Sequence, residues 1–245
     1  MCCFSGPVRF VGQTHIFARA LGHGRQALVY GMTVEAEADV AMILPLPVPP
    51  GTAEDDVSFV DLSEYPELFD DLQRAFPPPA AAFGAPAARP AAKPLLSVKK
   101  VGAFEASFVP SIDDFERLDP RFQLPDSLVG TFPGYADHGF AVFQLAGGAR
   151  AHVHPMAFTF PRRDPAALFF PTVHVHDGVA HPTASFDHQL YCQWSHPLPE
   201  LWWRPGPPAS HHVDVGRALG LVDGDQPIAT LTLIGERPNE DVWIR

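Results

Sequence analysis

Cysteine is scarce in this chain of 245 residues, which has only Cys2, Cys3 and Cys192. Because the number is odd and adjacent cysteines rarely bond each other, we do not expect a disulfide framework, and the reducing cytoplasm is the favoured compartment. Long apolar runs are missing too, since no stretch approaches the roughly 18 uninterrupted apolar residues of a membrane-spanning helix. The N-terminus also lacks the basic and apolar regions of a signal peptide. These absences predict a cytoplasmic protein without a membrane partner.

Positively charged residues are also few. The chain has 17 lysines and arginines and 28 aspartates and glutamates, which gives a formal net charge of −11. Phosphate binding needs clustered basic residues, so this balance disfavours nucleic acid as a partner. Common chemical motifs are absent as well. There is no G-x-x-x-x-G-K-[ST] loop, no strand-coupled G-x-G-x-x-G and no G-x-S-x-G elbow. The sequence therefore gives no reason to expect a nucleotide-binding protein or a serine hydrolase.

Proline, by contrast, is abundant, and its 28 residues are about twice the average share. Proline interrupts helices and central strands, so this count favours short strands joined by rigid turns. Many short segments of alternating polarity are separated by turn residues, and few segments have helical periodicity. We therefore predict a mainly β (α+β) fold, in which antiparallel sheets form a sandwich or an open barrel with two or three short helices.

Local patterns place several elements. Residues 8–21 and 26–34 flank a turn and predict a hairpin, and Val40–Leu46 predicts the next strand. Residues 61–76 carry apolar side chains at three- and four-residue steps, which predicts an amphipathic helix that begins with a capping box of Asp61 and Glu64. Residues 214–222 predict a further short helix.

A run of proline and alanine occupies residues 77–94 and has no periodicity. Such a composition is typical of a flexible, extended tether. The part of the chain before it has too few strands to close a core of its own. We therefore predict that residues 1–245 form a single β-rich domain with this run as an insertion.

Histidine is concentrated between residues 138 and 212, where two segments share the motif HVH. They are AHVHPMAFTF (151–160) and LFFPTVHVHDG (168–178), and a seven-residue connection predicts that they form a hairpin. If Phe160 lies opposite Leu168, then His152 lies opposite His176 and His154 lies opposite His174. Directly opposed residues point to the same face of a sheet, so this register brings four imidazoles together.

Imidazole nitrogens are good ligands for zinc, copper or iron, so a transition metal ion is the predicted cofactor. His188, Cys2 and Cys3 are weaker candidate ligands. A register shift of one residue would instead split the histidines between the two faces and leave them to local hydrogen bonds or a pH-sensitive patch. The leading hypothesis is a metal-binding β-rich protein, whose metal would activate water or oxygen if the protein is an enzyme.

Two other functions stay open at this point. Removal of Met1 would free the amine of Cys2, which is the arrangement of an N-terminal-nucleophile hydrolase or amidotransferase. Such a site also needs oxyanion donors, which no motif supplies. Packing in a first strand is the alternative role for Cys2 and Cys3. The proline-rich loops and the pair Trp202–Trp203 favour a third function, a non-catalytic protein-interaction module.

Several stretches in order resemble an uncharacterised bacterial family, domain of unknown function 2330. They are CCF (2–4), HIFARAL (15–21), ALVYGMTVEAEADVAMILPLPVPP (27–50), VGAFEASFV (101–109), LPDSLVGTFPGYADHGFAVFQLAGG (124–148) and HPMAFTFPRRDPAALFFPTVHV (154–175). The resemblance, over residues 2–176, implies a β-rich domain and, in typical members, export with an N-terminal cysteine. This sequence shows neither the signal peptide nor a membrane anchor, and the resemblance assigns no functional residues.

Overall fold

The computed structural model describes residues 2–77, 104–118, 133–176, 179, 181–198 and 202–245. Strands dominate these residues, and a single α-helix, α1 (Leu68–Arg74), accompanies short 3-10 turns. None of the described helices is long and apolar enough to cross a bilayer.

In chain order the strands are β1 (Cys2–Phe4), β2 (Val8–Leu21), β3 (Arg25–Ala36), β4 (Val40–Leu46), β5 (Ser58–Asp61), β6 (Phe104–Val109), β7 (Gly139–Leu145), β8 (Gly148–Pro161), β9 (Leu168–Phe170), β10 (His174–Val175), β11 (Thr183–Gln193), β12 (Arg204–Pro208), β13 (Pro227–Pro238) and β14 (Val242–Ile244).

The strands form two large sheets and one small sheet. The five-stranded sheet has the order β10-β1-β4-β7-β6, the seven-stranded sheet has the order β12-β13-β11-β2-β3-β8-β5, and β14 pairs with β9. Neighbouring strands are antiparallel except for two parallel pairs, β1 with β10 and β2 with β11. The predicted mainly β fold with antiparallel sheets and few helices is confirmed.

The main core lies between the two large sheets. Met42 and Phe143 of the five-stranded sheet and Leu28, Tyr30 and Phe158 of the seven-stranded sheet belong to one buried cluster. Strands that alternate apolar and polar residues bury one face in this way, and two such faces pack as a sandwich. Further apolar clusters cover the outer faces of both sheets, so several strands, such as β4, are buried on both sides.

The N-terminal hairpin forms as predicted, with β2 and β3 paired from Leu21–Arg25 to Val8–Ala36. A register shift between Gly12 and His15 interrupts the pairing. At this irregularity Gln13 adopts a φ of 54°, and its backbone N–H donates to Asp187 Oδ2 at 2.6 Å. The predicted strand Val40–Leu46 is confirmed with the same bounds.

The helix predicted over residues 61–76 is shorter than expected. Only Leu68–Arg74 is helical, because Pro66 lacks a backbone N–H donor and disfavours helix at the residue before it. Asp61 does not cap the helix; its Oδ1 accepts a hydrogen bond from the Ser63 backbone N–H at 2.8 Å. The predicted apolar face is nevertheless buried against the seven-stranded sheet, and its members are Leu62, Tyr65, Leu68, Phe69, Leu72 and Phe76.

Residues 214–222 form a series of turns instead of the predicted helix. Leu219 and Gly220 both have positive φ angles, 50° and 81°, and two such residues in sequence are incompatible with a right-handed helix. The predicted Pro/Ala insertion at 77–94 lies, from residue 78 onwards, outside the described residues.

Candidate functional site

The hairpin predicted between residues 151–160 and 168–178 is wrong. β8 has β3 on one edge and β5 on the other, so that Met156 lies opposite both Tyr30 and Asp61. β5 pairs with β8 at Met156–Thr159, and the segments expected to pair with β8 have other partners, because β9 pairs with β14 and β10 pairs with β1. The side chain of Gln26 on β3 binds the backbone of β9, because its amide Nε2 donates to Phe169 O at 2.7 Å and its Oε1 accepts from Phe169 N at 3.1 Å.

The four histidines of the predicted metal site are consequently separated, because His174 lies on β10 of the five-stranded sheet and His176 directly follows it. His152 and His154 lie on β8, in the seven-stranded sheet. Thr33 Oγ1 lies 3.5 Å from His152 Nδ1, and His154 Nδ1 lies 3.3 Å from the carbonyl oxygen of Pro155. Burial lowers the pKa of His154 below its ordinary value. Local contacts of this kind match the alternative that a changed register would produce.

Two of the four, His174 and His176, do come together with His188, and we call His174, His176 and His188 the histidine cluster. The ring centroid of His174 lies 4.8 Å from that of His176 and 4.7 Å from that of His188. His174 lies on β10 of the five-stranded sheet, whereas His188 lies on β11 of the seven-stranded sheet. Phe186 closes one side, with its ring 4.7 Å from His174 and 5.2 Å from His188. The sequence predicted His188 only as a weaker member of this group.

Two members of the histidine cluster, His174 and His188, have pKa values below the ordinary value of histidine. His188 is 1% exposed, and neither of its ring nitrogens has a hydrogen-bond partner among the described residues. Asp187 Oδ1 stands 3.7 Å from His188 Nδ1, which is too long for a hydrogen bond. Burial and the neighbouring His188 and His176 lower the pKa of His174 to about 3. Burial likewise lowers the pKa of His188.

The predicted zinc, copper or iron site is not supported by this arrangement. In the part of the chain that the structure describes, no group of three or more His, Cys, Asp or Glu side chains is placed to hold a metal ion. The predicted ligand set of His152, His154, His174 and His176 fails for a physical reason, because its two halves lie on different strands that do not pair.

The first strand brings the N-terminal cysteines next to the histidine cluster. β1 lies between β10 and β4, with Cys2 opposite His174 and Cys3 opposite both Val175 and Ile43. Cys3 is fully buried in the apolar cluster on the outer face of the five-stranded sheet. Its surroundings are those of a packing residue. The role of Cys2 as a nucleophile stays a prediction.

Two polar residues that the sequence patterns did not assign to this region fix the backbone beside β1. Asn239 accepts from His174 N at 2.8 Å and donates to the carbonyl oxygens of His174 and His181, both at 2.9 Å. Asp241 accepts hydrogen bonds from the backbone N–H groups of Thr172 and Val173. The only available signal was a run of three polar residues, 239–241, between the last two strands.

A groove runs beside β13 and contains the most exposed tryptophan among the described residues. Trp202 is 62% exposed, whereas Trp203 is 5% exposed and packs on Phe170 with ring centroids 5.6 Å apart. A cavity of about 720 Å3 lies on one side and is lined by Gln73, Phe76, Gln189, Tyr191, Trp202, Arg204, Thr230, Leu231, Thr232, Leu233 and Arg237. A cavity of about 480 Å3 lies on the other side and is lined by Phe186, Trp202, Trp203, Leu231, Leu233, Arg237, Pro238, Glu240, Asp241, Val242 and Trp243.

The larger cavity combines aromatic rings with positive charge. Its only charged lining residues are Arg204 and Arg237. The guanidinium carbon of Arg204 lies 5.1 Å from the centroid of the Phe76 ring, within the range of a cation–π contact. Tyr191 is buried in the wall, and burial raises its pKa. This composition resembles that of protein-binding surfaces, which are enriched in aromatic residues and arginine.

Comparison with known proteins identifies a similar fold but no family. No family model matches the chain, and no curated protein matches it. The crystal structure of baculovirus P35 is similar over 97% of this chain and 98% of that chain, with a TM-score of 0.50 and 13% identity. A mutated baculovirus P35 after caspase cleavage gives a TM-score of 0.46 at 11% identity, over 95% and 96% of the two chains. The crystal structure of the caspase-8/P35 complex gives a TM-score of 0.44 at 12% identity, over 95% of each chain. The resemblance to domain of unknown function 2330 stays a prediction, and the likeness to baculovirus P35 is one of fold.

Proposed function

We propose that this protein is a non-catalytic protein-interaction module whose partner is a cysteine protease of the caspase class. The observation that carries the proposal is the fold likeness to baculovirus P35 along nearly the whole of both chains. P35 itself occurs in a complex with caspase-8. Fold alone does not fix function, so the partner class is the part of the proposal that most needs a direct test.

Features of this chain support a binding role. Cys3 and Cys192 are both 0% exposed, and burial raises the pKa of the Cys192 thiol. A buried, protonated thiol is a poor nucleophile, so neither cysteine is suited to catalysis. The groove at Trp202, in contrast, offers exposed aromatic surface of the kind that anchors protein partners.

The test is to mix the purified full chain with caspase-8 and with other caspase-type proteases. Size-exclusion chromatography with light scattering measures complex formation, and a fluorogenic peptide substrate measures the activity of each protease. We expect a stable complex with at least one protease. If none of the proteases forms a complex, even at protein concentrations well above the Kd of a typical specific interaction, the proposal is contradicted.

A Cys2→Ala variant separates this function from the N-terminal-nucleophile hypothesis. A binding module shows no turnover of amide or glutamine substrates in either form. An N-terminal nucleophile predicts turnover by the wild type and its complete loss in Cys2→Ala, since the attacking thiol is removed. Intact mass spectrometry of the wild type shows in the same preparation whether Met1 is retained.

A further inference from the structure

One strand edge of the seven-stranded sheet is incompletely paired. β12 pairs with β13 only from Pro227 to Thr230. From Leu231 to Pro238, β13 has β11 on one side, and no described strand pairs with its other side. These residues extend over about 25 Å at the usual rise of a strand. A free edge of this length carries unpaired backbone N–H and C=O groups that a second chain can join.

The groove at Trp202 follows this free edge. The cavities on its two sides share Trp202, Leu231, Leu233 and Arg237, so the edge lies between them and is accessible from both. Folded proteins commonly protect an edge with proline, charge or a local bulge. Here Gly235, with a φ of 80°, and Pro238 protect only the far end. Trp202 and Trp203, which precede β12, lie beside Leu231 and Leu233, but among the described residues the backbone of Leu231–Leu233 has no backbone hydrogen bonds apart from its pairing with β11.

The charged residues beside the free edge of β13 determine which kind of ligand it can bind. Arg204 lies opposite Thr230, at the point where β12 stops pairing, and Arg237 lies near the other end. The contacts of Arg237 among described residues include a hydrogen bond from its Nε to the carbonyl oxygen of Ile234, and those of Arg204 include the stacking on Phe76. Neither guanidinium pairs with a described carboxylate, although the chain carries a net charge of −11. Glu240 and Asp241 line the smaller cavity together with Arg237, whereas the larger cavity has no acidic lining residue, so the larger cavity favours an acidic ligand.

We infer that the free edge of β13 binds an extended acidic segment of a partner protein by strand addition. The segment hydrogen-bonds to the backbone of Leu231–Leu233, places an apolar side chain against Trp202 and pairs carboxylates with Arg204 and Arg237. In strand addition the main chain supplies affinity, and the side-chain pockets supply specificity. The inference rests on the proposed function in one respect, namely that the ligand belongs to a protein.

The test uses a fluorescein-labelled peptide of alternating glutamate and valine, and fluorescence anisotropy measures its binding to the full chain. A peptide with lysine in place of each glutamate tests charge, and a peptide with alternate N-methylated amides tests backbone pairing. We expect only the unmodified acidic peptide to bind, with an affinity that falls as salt is raised. Equal binding of the lysine or the N-methylated peptide would overturn the inference.

Matched variants locate the binding surface. We expect Trp202→Ala, and separately the double variant Arg204→Glu/Arg237→Glu, to weaken binding about ten-fold or more. The control is Arg9→Glu/Arg245→Glu, which has the same net charge and changes two exposed arginines that line neither cavity. Trp202 is exposed, so its truncation preserves folding, which circular dichroism verifies. Unchanged binding in both groove variants would overturn the inference.

Two further measurements give distinct outcomes. If sedimentation shows that the wild type is a dimer and that Trp202→Ala is a monomer, a second copy of the chain covers the edge, and the acidic peptide is not its ligand. If the groove variants form the protease complex as well as the wild type does, the groove inference fails while the proposed function stands. If the peptide binds at the groove but no protease forms a complex, the proposed function fails and the groove inference stands.

Discussion

Asn239 and His174 exchange two hydrogen bonds, because the His174 backbone N–H donates to Asn239 Oδ1 and Asn239 Nδ2 donates back to His174 O. The amide side chain thus acts as a surrogate for a paired strand residue. β10 contains only two residues, and a strand of this length is not stable by itself. The position of β10 beside β1 therefore depends on a contact from the other end of the chain.

The first prediction concerns this contact. Replacement Asn239→Asp keeps the size of the side chain but turns the donor into an acceptor that faces the carbonyl oxygens of His174 and His181. We expect the free energy of unfolding to fall by about 1–3 kcal/mol, measured by urea denaturation. The control is Asp225→Asn, an isosteric change at an exposed turn, which should stay within about 0.5 kcal/mol of the wild type. Equal stability of Asn239→Asp and the wild type would contradict the assigned role.

The second prediction concerns acid. Burial lowers the pKa of His174 to about 3 and that of His15 to about 4, and it also lowers the pKa of His188. In the unfolded chain these groups bind protons near pH 6.5, so below that pH the unfolded state holds more protons than the folded state. These histidines should leave stability constant from about pH 7 to 8 and should lower it as the pH drops from about 6.5 towards 4, by up to about 1.4 kcal/mol per pH unit for each histidine.

A pair of variants assigns the acid dependence to the histidine cluster. In His188→Phe an apolar ring replaces the buried imidazole beside Phe186, so the loss of stability between pH 6.5 and 4 should become shallower. His23→Asn changes a histidine in the exposed turn between β2 and β3 and should leave the slope unchanged. Urea denaturation at several pH values measures both slopes. A wild-type stability that does not change over this window would show that the histidines are not held neutral.

The third prediction concerns the buried thiols. In a Cys2→Ala background, Cys3 and Cys192 are the remaining cysteines, and both are 0% exposed. An aromatic disulfide reagent such as DTNB should therefore react with neither thiol in the native protein and with both thiols in denaturant. Fast reaction of either thiol in the native protein would contradict the packing role.

The fourth prediction concerns the contact between α1 and the sheet. A Cβ atom added to Gly31 on β3 would lie 2.7 Å from Cε2 of Phe69, so Gly31→Ala must displace that ring. We expect a loss of about 1–3 kcal/mol in the free energy of unfolding, measured by urea denaturation. Gly22→Ala is the control, because no atom lies within 4 Å of its added Cβ. If Gly31→Ala has the same free energy of unfolding as the wild type, the Phe69 ring can move away from β3 without a loss of stability, and the prediction is contradicted.

The elements that could be predicted from sequence are those whose partners are close in the chain. The hairpin of β2 and β3 has a short turn and alternating residues, and both features are local. The apolar face of residues 62–76 was also predictable from its periodicity, although Pro66 shortened the helix. These patterns determine which side chains are buried, and the structure confirms them.

The positions of the histidines were not predictable, because they depend on strand partners that are distant in the sequence. Two apolar segments with a short connection satisfy the local rules for a hairpin, but β8 instead has partners on both edges, β3 and β5, that are distant in sequence. The contacts of Asn239 and Gln26 that hold β10 and β9 are equally distant. No local pattern distinguishes one long apolar strand from another as a partner, so the composition of the histidine cluster emerged only in the fold.

The pairing of Cys2 with His174 has a consequence for how the protein is made. β1 leaves the ribosome long before its parallel partner β10, which follows only when the residues between them have been synthesised. Until then one edge of β1 is open, and the five-stranded sheet is incomplete. Contacts between residues so distant in sequence form slowly, and unpaired strand edges favour aggregation during folding. Expression at low temperature, or with a chaperone that shields β1, should therefore raise the yield of folded protein.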